Sequence, residues 1–94
     1  MIRGFRNRRT EKFADGEHVP QFEPFRRQAE KRLRLLEAAT TLDDLAQLPS
    51  NRLEGLKGDR RGQFSIRINR QWRICFTWAA GADGPSDVEI TDYH

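Results

Sequence analysis

Three features of the sequence predict an α+β domain in which helices cover one face of a mostly antiparallel sheet. Apolar residues between Gln21 and Thr41 recur at helical spacing, whereas those between Phe64 and Phe76 occupy alternate positions. Turn-forming residues separate several strand-like stretches in the second half of the chain. Helices followed by a strand meander are typical of this class, and they predict a sheet with one covered face and one open face.

The helical half is predicted to begin with a short edge strand, "MIRGFR", and to continue with a short helix, "RRTEKFADG", that ends at Gly16. A longer amphipathic helix is predicted over residues 21–41. Thr41 followed by Asp44 is typical of the N-cap of another short helix, "TLDDLAQL", which would end before Pro49. The apolar positions of the long helix are Phe22, Phe25, Ala29, Leu33 and Leu36.

Four strands are predicted after the helices, namely "RLEGL", "QFSIRIN", "WRICFTWA" and "DVEITDY", with "KGDRRG" and "AGADGPS" as turns. If Asn69, Arg70 and Gln71 form a three-residue loop between the second and third strands, Arg67 and Arg73 face each other on the open side of the sheet. Like charges in this arrangement destabilise a sheet, so the pair suggests a binding site for an anion.

The length and composition limit the class of protein. A chain of 94 residues has room for one hydrophobic core, so a single domain over residues 1–94 is predicted. One cysteine cannot form an internal disulfide, and the apolar runs are far shorter than the roughly 20 residues that cross a membrane. No signal peptide is apparent. These observations predict a soluble, cytoplasmic protein without a membrane partner.

The formal net charge of +3 is unevenly distributed, because every lysine and arginine precedes Ile74. Clustered arginines on a small protein suggest a polyanion such as nucleic acid as the partner. The alternative is that the charged runs are solvated faces without a ligand.

Several basic residues near the predicted hairpin are candidates for phosphate binding. A guanidinium donates a planar fork of hydrogen bonds that suits phosphate oxygens, and a basic turn beside it would hold a nucleic-acid backbone through charge. The alternative is that these side chains are solvated or paired with carboxylates such as Glu89. The spacing of a phosphate-binding P-loop is missing. The candidates are Lys57, Arg60, Arg61, Arg67 and Arg73.

Candidate acid and base groups lie in "RLEGL", which contains Glu54, and in the final "DYH", formed by Asp92, Tyr93 and His94. Histidine titrates near neutral pH and can give or take a proton, whereas Glu54 could equally be a solvated carboxylate. The other histidine, His18, is predicted to be an exposed loop residue. Two separated histidines and one cysteine lack the spacing of metal ligands, and no dinucleotide fingerprint is present, so neither metal nor cofactor is predicted.

Three segments occur in an order that resembles a known toxin family. "IRGFRNRRTEKF", "RLEGLKGDRRGQFSIRINRQWRICF" and the final "DYH" together look like the HigB branch of the RelE/ParE superfamily, the toxins of type II toxin–antitoxin pairs. The most specific parts are L-K-G-D-x-x-G-x-[FW]-S-I and N-x-x-W-R-I-x-F, followed by D-Y-H. The resemblance covers nearly the whole chain and implies the compact RelE-like α+β domain.

The same resemblance implies a ribosome-dependent endoribonuclease that cleaves mRNA without metal or cofactor. It also implies a HigA-like helix-turn-helix antitoxin as the partner. Carried over by position, Arg73 would stabilise the scissile phosphate, Lys57 would help to hold the RNA, and Asp92, Tyr93 and His94 would form the catalytic end. The expected role of Arg67 rests instead on its cross-strand position.

One departure from the family pattern affects the expected chemistry. Before L-K-G-D the family usually has L-H-P, with the histidine in the active site, whereas this chain has Leu53, Glu54 and Gly55. We therefore expect Glu54 to act as general base and His94 as general acid, with activity weakened by the change. The alternative is a non-catalytic member that binds RNA or ribosomes or forms a repressor complex with its antitoxin. Gyrase poisoning, known in the ParE branch, is less favoured by the D-Y-H end.

Overall fold

A computed structural model of the protein describes residues 1–92 and has the predicted α+β architecture. Helices α1 (Arg8–Ala14), α2 (Arg26–Ala38) and α3 (Leu42–Ala46) precede a sheet of β1 (Glu54–Gly55), β2 (Gln63–Arg67), β3 (Trp72–Thr77) and β4 (Ser86–Asp92). The strands lie in the order β1-β2-β3-β4, and each neighbouring pair is antiparallel. The predicted sheet is therefore confirmed, although β1, β2 and β3 are shorter than their predicted stretches and β4 begins one residue earlier than predicted.

Helix α1 begins and ends as its sequence predicts. The side chain of Asn7 accepts a hydrogen bond from the backbone N–H of Thr10 at 2.9 Å, which caps the N-terminus. Gly16 follows the helix with a φ of +92°, in the left-handed region that favours glycine. The buried Thr10 hydroxyl accepts a hydrogen bond from the backbone N–H of Ile90 at 3.0 Å. This bond attaches α1 to β4.

The prediction of one long helix over residues 21–41 is wrong at both ends. Pro20–Phe25 form a 3-10 helix, and only α2 has α-helical geometry. Pro24 accounts for the late start, because proline has no backbone N–H and disfavours helical geometry in the residue before it. At the other end Ala39 is extended, with φ −70° and ψ 135°. At 13 residues α2 is too short to cross a membrane, and no helix within residues 1–92 is long and apolar enough to do so.

Helix α3 has the predicted N-cap, in the form of a complete capping box. The Thr41 hydroxyl accepts from the backbone N–H of Asp44 at 3.2 Å, while the Asp44 carboxylate accepts from the backbone N–H of Thr41 at 3.1 Å. The backbone N–H groups of Thr40 and then Thr41 lower the pKa of Asp44, because they stabilise its charged form.

The core lies between the helices and the inner face of the sheet. Phe22 is fully buried, and its ring contacts those of Phe13, Phe25 and Trp72 at centroid distances of 5.3, 5.8 and 5.8 Å. Alternate residues of the strands complete the core, as the period of two predicts. These buried strand residues are Ile66, Ile74, Phe76, Val88 and Ile90. Phe64 and Trp72 are partly buried and also pack against the core, whereas the intervening residues of β2 and β3, which include Ser65, Arg67 and Arg73, face the open side of the sheet.

A β-bulge shapes the pairing of β3 with β4. Thr77 pairs with Ser86, but Cys75 pairs with Glu89, so β4 contains one extra residue in this interval. Asp87 lies within the bulge and has a φ of +51°. The bulge leaves Val88 buried in the core and directs Glu89 to the open face.

The N-terminal segment runs beside β4 but pairs with it through a single bridge. Phe5 forms an isolated parallel bridge with Val88. The backbone N–H of Val88 donates to the Gly4 carbonyl at 3.1 Å, and that of Arg6 donates to the Val88 carbonyl at 3.0 Å. The edge strand predicted from "MIRGFR" is thus reduced to one bridge, which still covers part of an exposed strand edge.

Candidate active site on the open face of the sheet

Arg67 and Arg73 face each other across β2 and β3, as the hairpin alternation predicts. The loop between them depends on Asn69, whose side-chain oxygen accepts from the backbone N–H groups of Gln71 at 2.8 Å and Trp72 at 2.7 Å. These two bonds hold the tight turn that sets the register. The predicted juxtaposition of two arginines on the open face is therefore confirmed.

Arg73 on β3 is held by one residue of the neighbouring strand β2 and by one residue of β1, the strand beyond it. Its Nη1 donates to the Ser65 hydroxyl at 3.2 Å and lies 3.3 Å from Oε1 of Glu54. The register explains this arrangement, because Glu54 pairs with Ser65 and Ser65 pairs with Cys75 beside Arg73. The Arg73 side chain is 25% exposed and that of Glu54 is 54% exposed. A partly buried guanidinium and an accessible carboxylate therefore lie together.

Arg67 is oriented away from this pair by its own partner. Its Nε donates to the backbone carbonyl of Asn69 at 3.0 Å, and its side chain is half-buried. Each arginine thus has a separate oxygen acceptor, which reduces the repulsion expected between them. The two guanidiniums remain on the same face of the sheet.

Ser65 is a site residue to which sequence reasoning gave no role. It is buried, and its hydroxyl accepts the hydrogen bond from Arg73. Its role could have been predicted from the alternating pattern, which places Ser65 on the open face two positions before Arg67.

A second charged cluster surrounds Glu89 on the same face. Nη1 of Arg60 donates to Oε1 of Glu89 at 3.1 Å and to Oε1 of Gln63 at 3.0 Å, and Nε of Arg6 lies 3.7 Å from the same Glu89 oxygen. The Glu89 side chain is only 16% exposed. Glu89 therefore pairs with Arg60 and Arg6 rather than with the hairpin arginines, and neither Glu89 nor Arg6 was among the predicted site residues.

Buried Cys75 lies among these charges. Burial raises the pKa of its thiol, while the charges of Arg60, Glu89 and Arg73 act on the thiol with smaller effects. A raised pKa keeps the sulfur protonated at neutral pH, which is the unreactive form. Cys75 is therefore a packing residue, as its lack of a catalytic partner in the sequence predicts.

The predicted basic turn lies beside β2 and has the expected geometry. Gly58–Arg60 form a single 3-10 turn, and Gly58 and Gly62 have φ values of +65° and +90°. Lys57 and Arg61 flank this turn, and both are exposed. The turn thus offers solvent-accessible cations next to the sheet.

Asp92 lies at the end of β4, opposite Trp72. Its Oδ2 accepts a hydrogen bond from the side chain of Gln71 at 2.8 Å, which ties the strand end to the hairpin loop. Tyr93 and His94 lie outside the described residues. His18 is exposed, as predicted, and its Nδ1 lies 3.2 Å from Oε2 of Glu23. No group of three or more potential metal ligands occurs within the first 92 residues.

Helices on one face of an antiparallel sheet and arginines on the other are consistent with the RelE-like class. A family profile described as "RelE-like toxin of type II toxin-antitoxin system HigB" matches residues 4–94, so the chain belongs to that family. The chain is also similar to Toxin HigB-1 of Vibrio cholerae serotype O1, with 43% identity over 51 residues. That alignment covers 54% of this chain and 54% of the relative, so about half of the relative's length is matched. The resemblance proposed from sequence motifs is confirmed at the level of the family.

Proposed function

We propose that this protein is a ribosome-dependent mRNA endoribonuclease. It acts in the cytoplasm, without metal or cofactor, and a HigA-like helix-turn-helix antitoxin neutralises it. The observation that carries the proposal is the position of Arg73, a partly buried guanidinium on an open sheet face with an accessible carboxylate 3.3 Å away. Membership of the HigB family of RelE-like toxins supports the same conclusion, and Arg73 is the arginine of the N-x-x-W-R-I-x-F motif by which the sequence resembles that family.

The proposed reaction uses the 2′-hydroxyl of the message as nucleophile. Glu54 takes the 2′-OH proton, the 2′-oxygen bonds to phosphorus, and the bond from phosphorus to the 5′-oxygen breaks. His94 protonates that leaving oxygen, so the products carry a 2′,3′-cyclic phosphate and a 5′-hydroxyl. Arg73 stabilises the negative charge that develops on the phosphate oxygens.

The ion pair between Glu54 and Arg73 is the resting state of this mechanism. A phosphate that binds Arg73 replaces Glu54 as the anionic partner and leaves the carboxylate beside the scissile group. The 54% exposure of the Glu54 side chain gives it room to turn toward the 2′-hydroxyl. Binding of the substrate phosphate to Arg73 thus releases the Glu54 carboxylate to act as the base.

The remaining proposed site residues complete the catalytic end or bind the RNA. Asp92, Tyr93 and His94 form the catalytic end, and the hydrogen bond from Gln71 supports the position of Asp92 beside the hairpin. Lys57, Arg60, Arg61 and Arg67 hold the RNA backbone through charge. Positioning of the strand by the ribosome supplies several kcal/mol of the barrier, so a short set of acid and base groups is sufficient.

A second candidate function is non-catalytic binding to RNA, to the ribosome or within an antitoxin–repressor complex. The observation in its favour is that Glu54 occupies both the usual position of the family histidine and the contact to Arg73. A carboxylate that stays on Arg73 would leave a binding surface without a base. The two candidates differ in whether messages are cut.

The test is induction of the wild type, Arg73→Ala and Arg34→Ala in growing cells, with growth and the 5′ ends of transcripts followed together. Arg34→Ala is the matched control, because it removes the same charge from an exposed position on α2. We expect cuts within translated messages for the wild type and the control, and none for Arg73→Ala. Growth arrest with intact messages would overturn the nuclease proposal, and arrest of DNA replication before translation would indicate gyrase as the target.

A further inference from the structure

Glu89 lies where three separate parts of the chain meet on the open face. Its neighbours Val88 and Ile90 are buried in the core, so the Glu89 carboxylate projects to the opposite side. Arg60 reaches Glu89 from the 3-10 turn before β2, and Arg6 reaches it from the N-terminal segment. Both contacts are made to the same oxygen, Oε1, at 3.1 Å and 3.7 Å.

Backbone pairing carries Arg6 to this position. Phe5 is bridged to Val88 and packs against the core, so the next residue, Arg6, projects to the open side. The backbone N–H of Arg6 donates to the Val88 carbonyl at 3.0 Å, which holds the segment against β4. The Arg6 side chain is 52% exposed and therefore accessible to a ligand.

A carboxylate on a face that binds RNA opposes binding unless it orders the cations around it. Glu89 is nearly buried, whereas Arg6 is half exposed, so the negative charge lies beneath the positive one. A carboxylate between two guanidiniums reduces their repulsion and restricts their side chains, which lowers the entropy lost when an anion binds. The net charge of the three groups remains positive.

We propose that Glu89 positions Arg6 and Arg60 as a second phosphate-binding site on the open face. It takes a phosphodiester of single-stranded RNA next to the scissile one. The inference rests on the proposed function, since the RNA is the strand whose scissile phosphate contacts Arg73. In this arrangement Arg6 and Arg60 contact the RNA, and Glu89 is a positioning residue that acts through them.

The test measures binding of a single-stranded 2′-O-methyl RNA oligonucleotide, which lacks the nucleophile, over a range of KCl concentrations. We expect Arg6→Ala to weaken binding about tenfold, the effect of one charge-assisted hydrogen bond. The slope of log Kd against log salt should fall by about 0.7, the value for one phosphate contact on a single strand. Arg34→Ala is the matched control and should change both quantities less. Equal effects of the two variants would overturn the proposal.

Variants of Glu89 distinguish a role in positioning Arg6 and Arg60 from a purely electrostatic effect of the Glu89 charge on RNA binding. Glu89→Ala should weaken RNA binding even though it removes a negative charge, and Glu89→Gln, which keeps a hydrogen-bond acceptor, should lie between it and the wild type. Glu23→Ala, on the 3-10 helix, is the matched control and should not weaken binding. Tighter binding by either Glu89 variant would overturn the proposal, and thermal unfolding curves identify any variant that fails to fold.

Cleavage on programmed ribosomes separates this inference from the proposed function. Arg6→Ala should raise KM with little change in kcat, because the phosphate it binds is not the reacting one. If the wild type leaves messages intact while the binding results hold, the nuclease proposal fails and the second phosphate site stands. If the wild type cuts messages and Arg6→Ala and Glu89→Ala match their controls, the second phosphate site fails.

Discussion

Nη1 of Arg73 lies 3.3 Å from Oε1 of Glu54, which joins two residues of the candidate site in an ion pair. Because Glu54 is 54% exposed, solvent screens the interaction and the pair contributes little to folding stability. In the proposed mechanism, an RNA phosphate therefore displaces the carboxylate from the guanidinium. The pair orients Arg73 in the free protein without blocking it permanently.

Glu54→Gln separates the electrostatic effect of this carboxylate on RNA binding from its proposed role as a base. The amide carries no negative charge and accepts no proton at neutral pH. We therefore expect tighter binding of 2′-O-methyl RNA and a loss of cleavage of roughly 10²- to 10⁴-fold. Fluorescence binding and single-turnover cleavage on programmed ribosomes measure the two effects.

Glu23→Gln is the control for this prediction, because it makes the same substitution in the 3-10 helix. Unchanged cleavage by Glu54→Gln would remove Glu54 as the base. In that case the carboxylate would serve only to orient Arg73.

Thr10→Val tests the connection between α1 and β4. Valine preserves the shape of the side chain but leaves the backbone N–H of Ile90 buried without its acceptor. We expect the free energy of unfolding to fall by about 1–3 kcal/mol, measured by urea denaturation. Thr91→Val, also on β4, is the control, because its hydroxyl makes none of the hydrogen bonds described within residues 1–92. Equal losses in the two variants would contradict a specific role for Thr10.

The capping box of α3 predicts a pH dependence. Hydrogen bonds from the backbone N–H groups of Thr40 and Thr41 lower the pKa of Asp44 below its ordinary 3.8. The contribution to stability is therefore present above about pH 3.8 and is lost as the pH falls through the lower pKa of the folded state. Wild type should be more stable than Asp44→Asn at pH 7, and the difference should shrink in acid.

Urea denaturation at a series of pH values measures this difference. Asp43→Asn is the control, because the Asp43 carboxylate bonds the Gln47 side chain instead of the backbone N–H groups at the helix start. A difference between wild type and Asp44→Asn that stays constant down to the lowest pH would contradict the assignment.

The burial of the Cys75 thiol predicts that the protein loses stability at alkaline pH. Burial raises the pKa of its thiol above the ordinary 9.0, so the unfolded chain loses this proton first as the pH rises. We expect the free energy of unfolding to decline above about pH 9.0 and Cys75→Ala to lack this part of the decline. The native thiol should also react with maleimide only as fast as the protein opens. Rapid labelling at neutral pH would contradict its burial.

The hairpin arginines could be predicted because strict alternation and a three-residue loop together determine which residues of β2 and β3 pair. Pro24 was also a signal for the late start of α2, but the prediction of that helix rested on the apolar spacing alone. The contact of Arg73 with Glu54 could not be predicted, since β1 has only two residues and its register depends on the turn that follows. Glu89 was missed as a site residue because its partners come from the N-terminal segment and the basic turn, which only the tertiary fold brings together.

The central claim is that the 2′-hydroxyl of the message attacks the scissile phosphate while Arg73 stabilises it. The most direct test compares cleavage of two messages on programmed ribosomes, one all-ribose and one with a single 2′-deoxynucleotide on the 5′ side of the cut. We expect wild type to cut the all-ribose message, leaving a 2′,3′-cyclic phosphate and a 5′-hydroxyl, and to leave the deoxy position intact. Arg73→Ala should cut neither message, while Arg34→Ala should match the wild type. Cleavage at the deoxy position at the wild-type rate would contradict attack by the 2′-hydroxyl, and full activity of Arg73→Ala would remove Arg73 from the reaction.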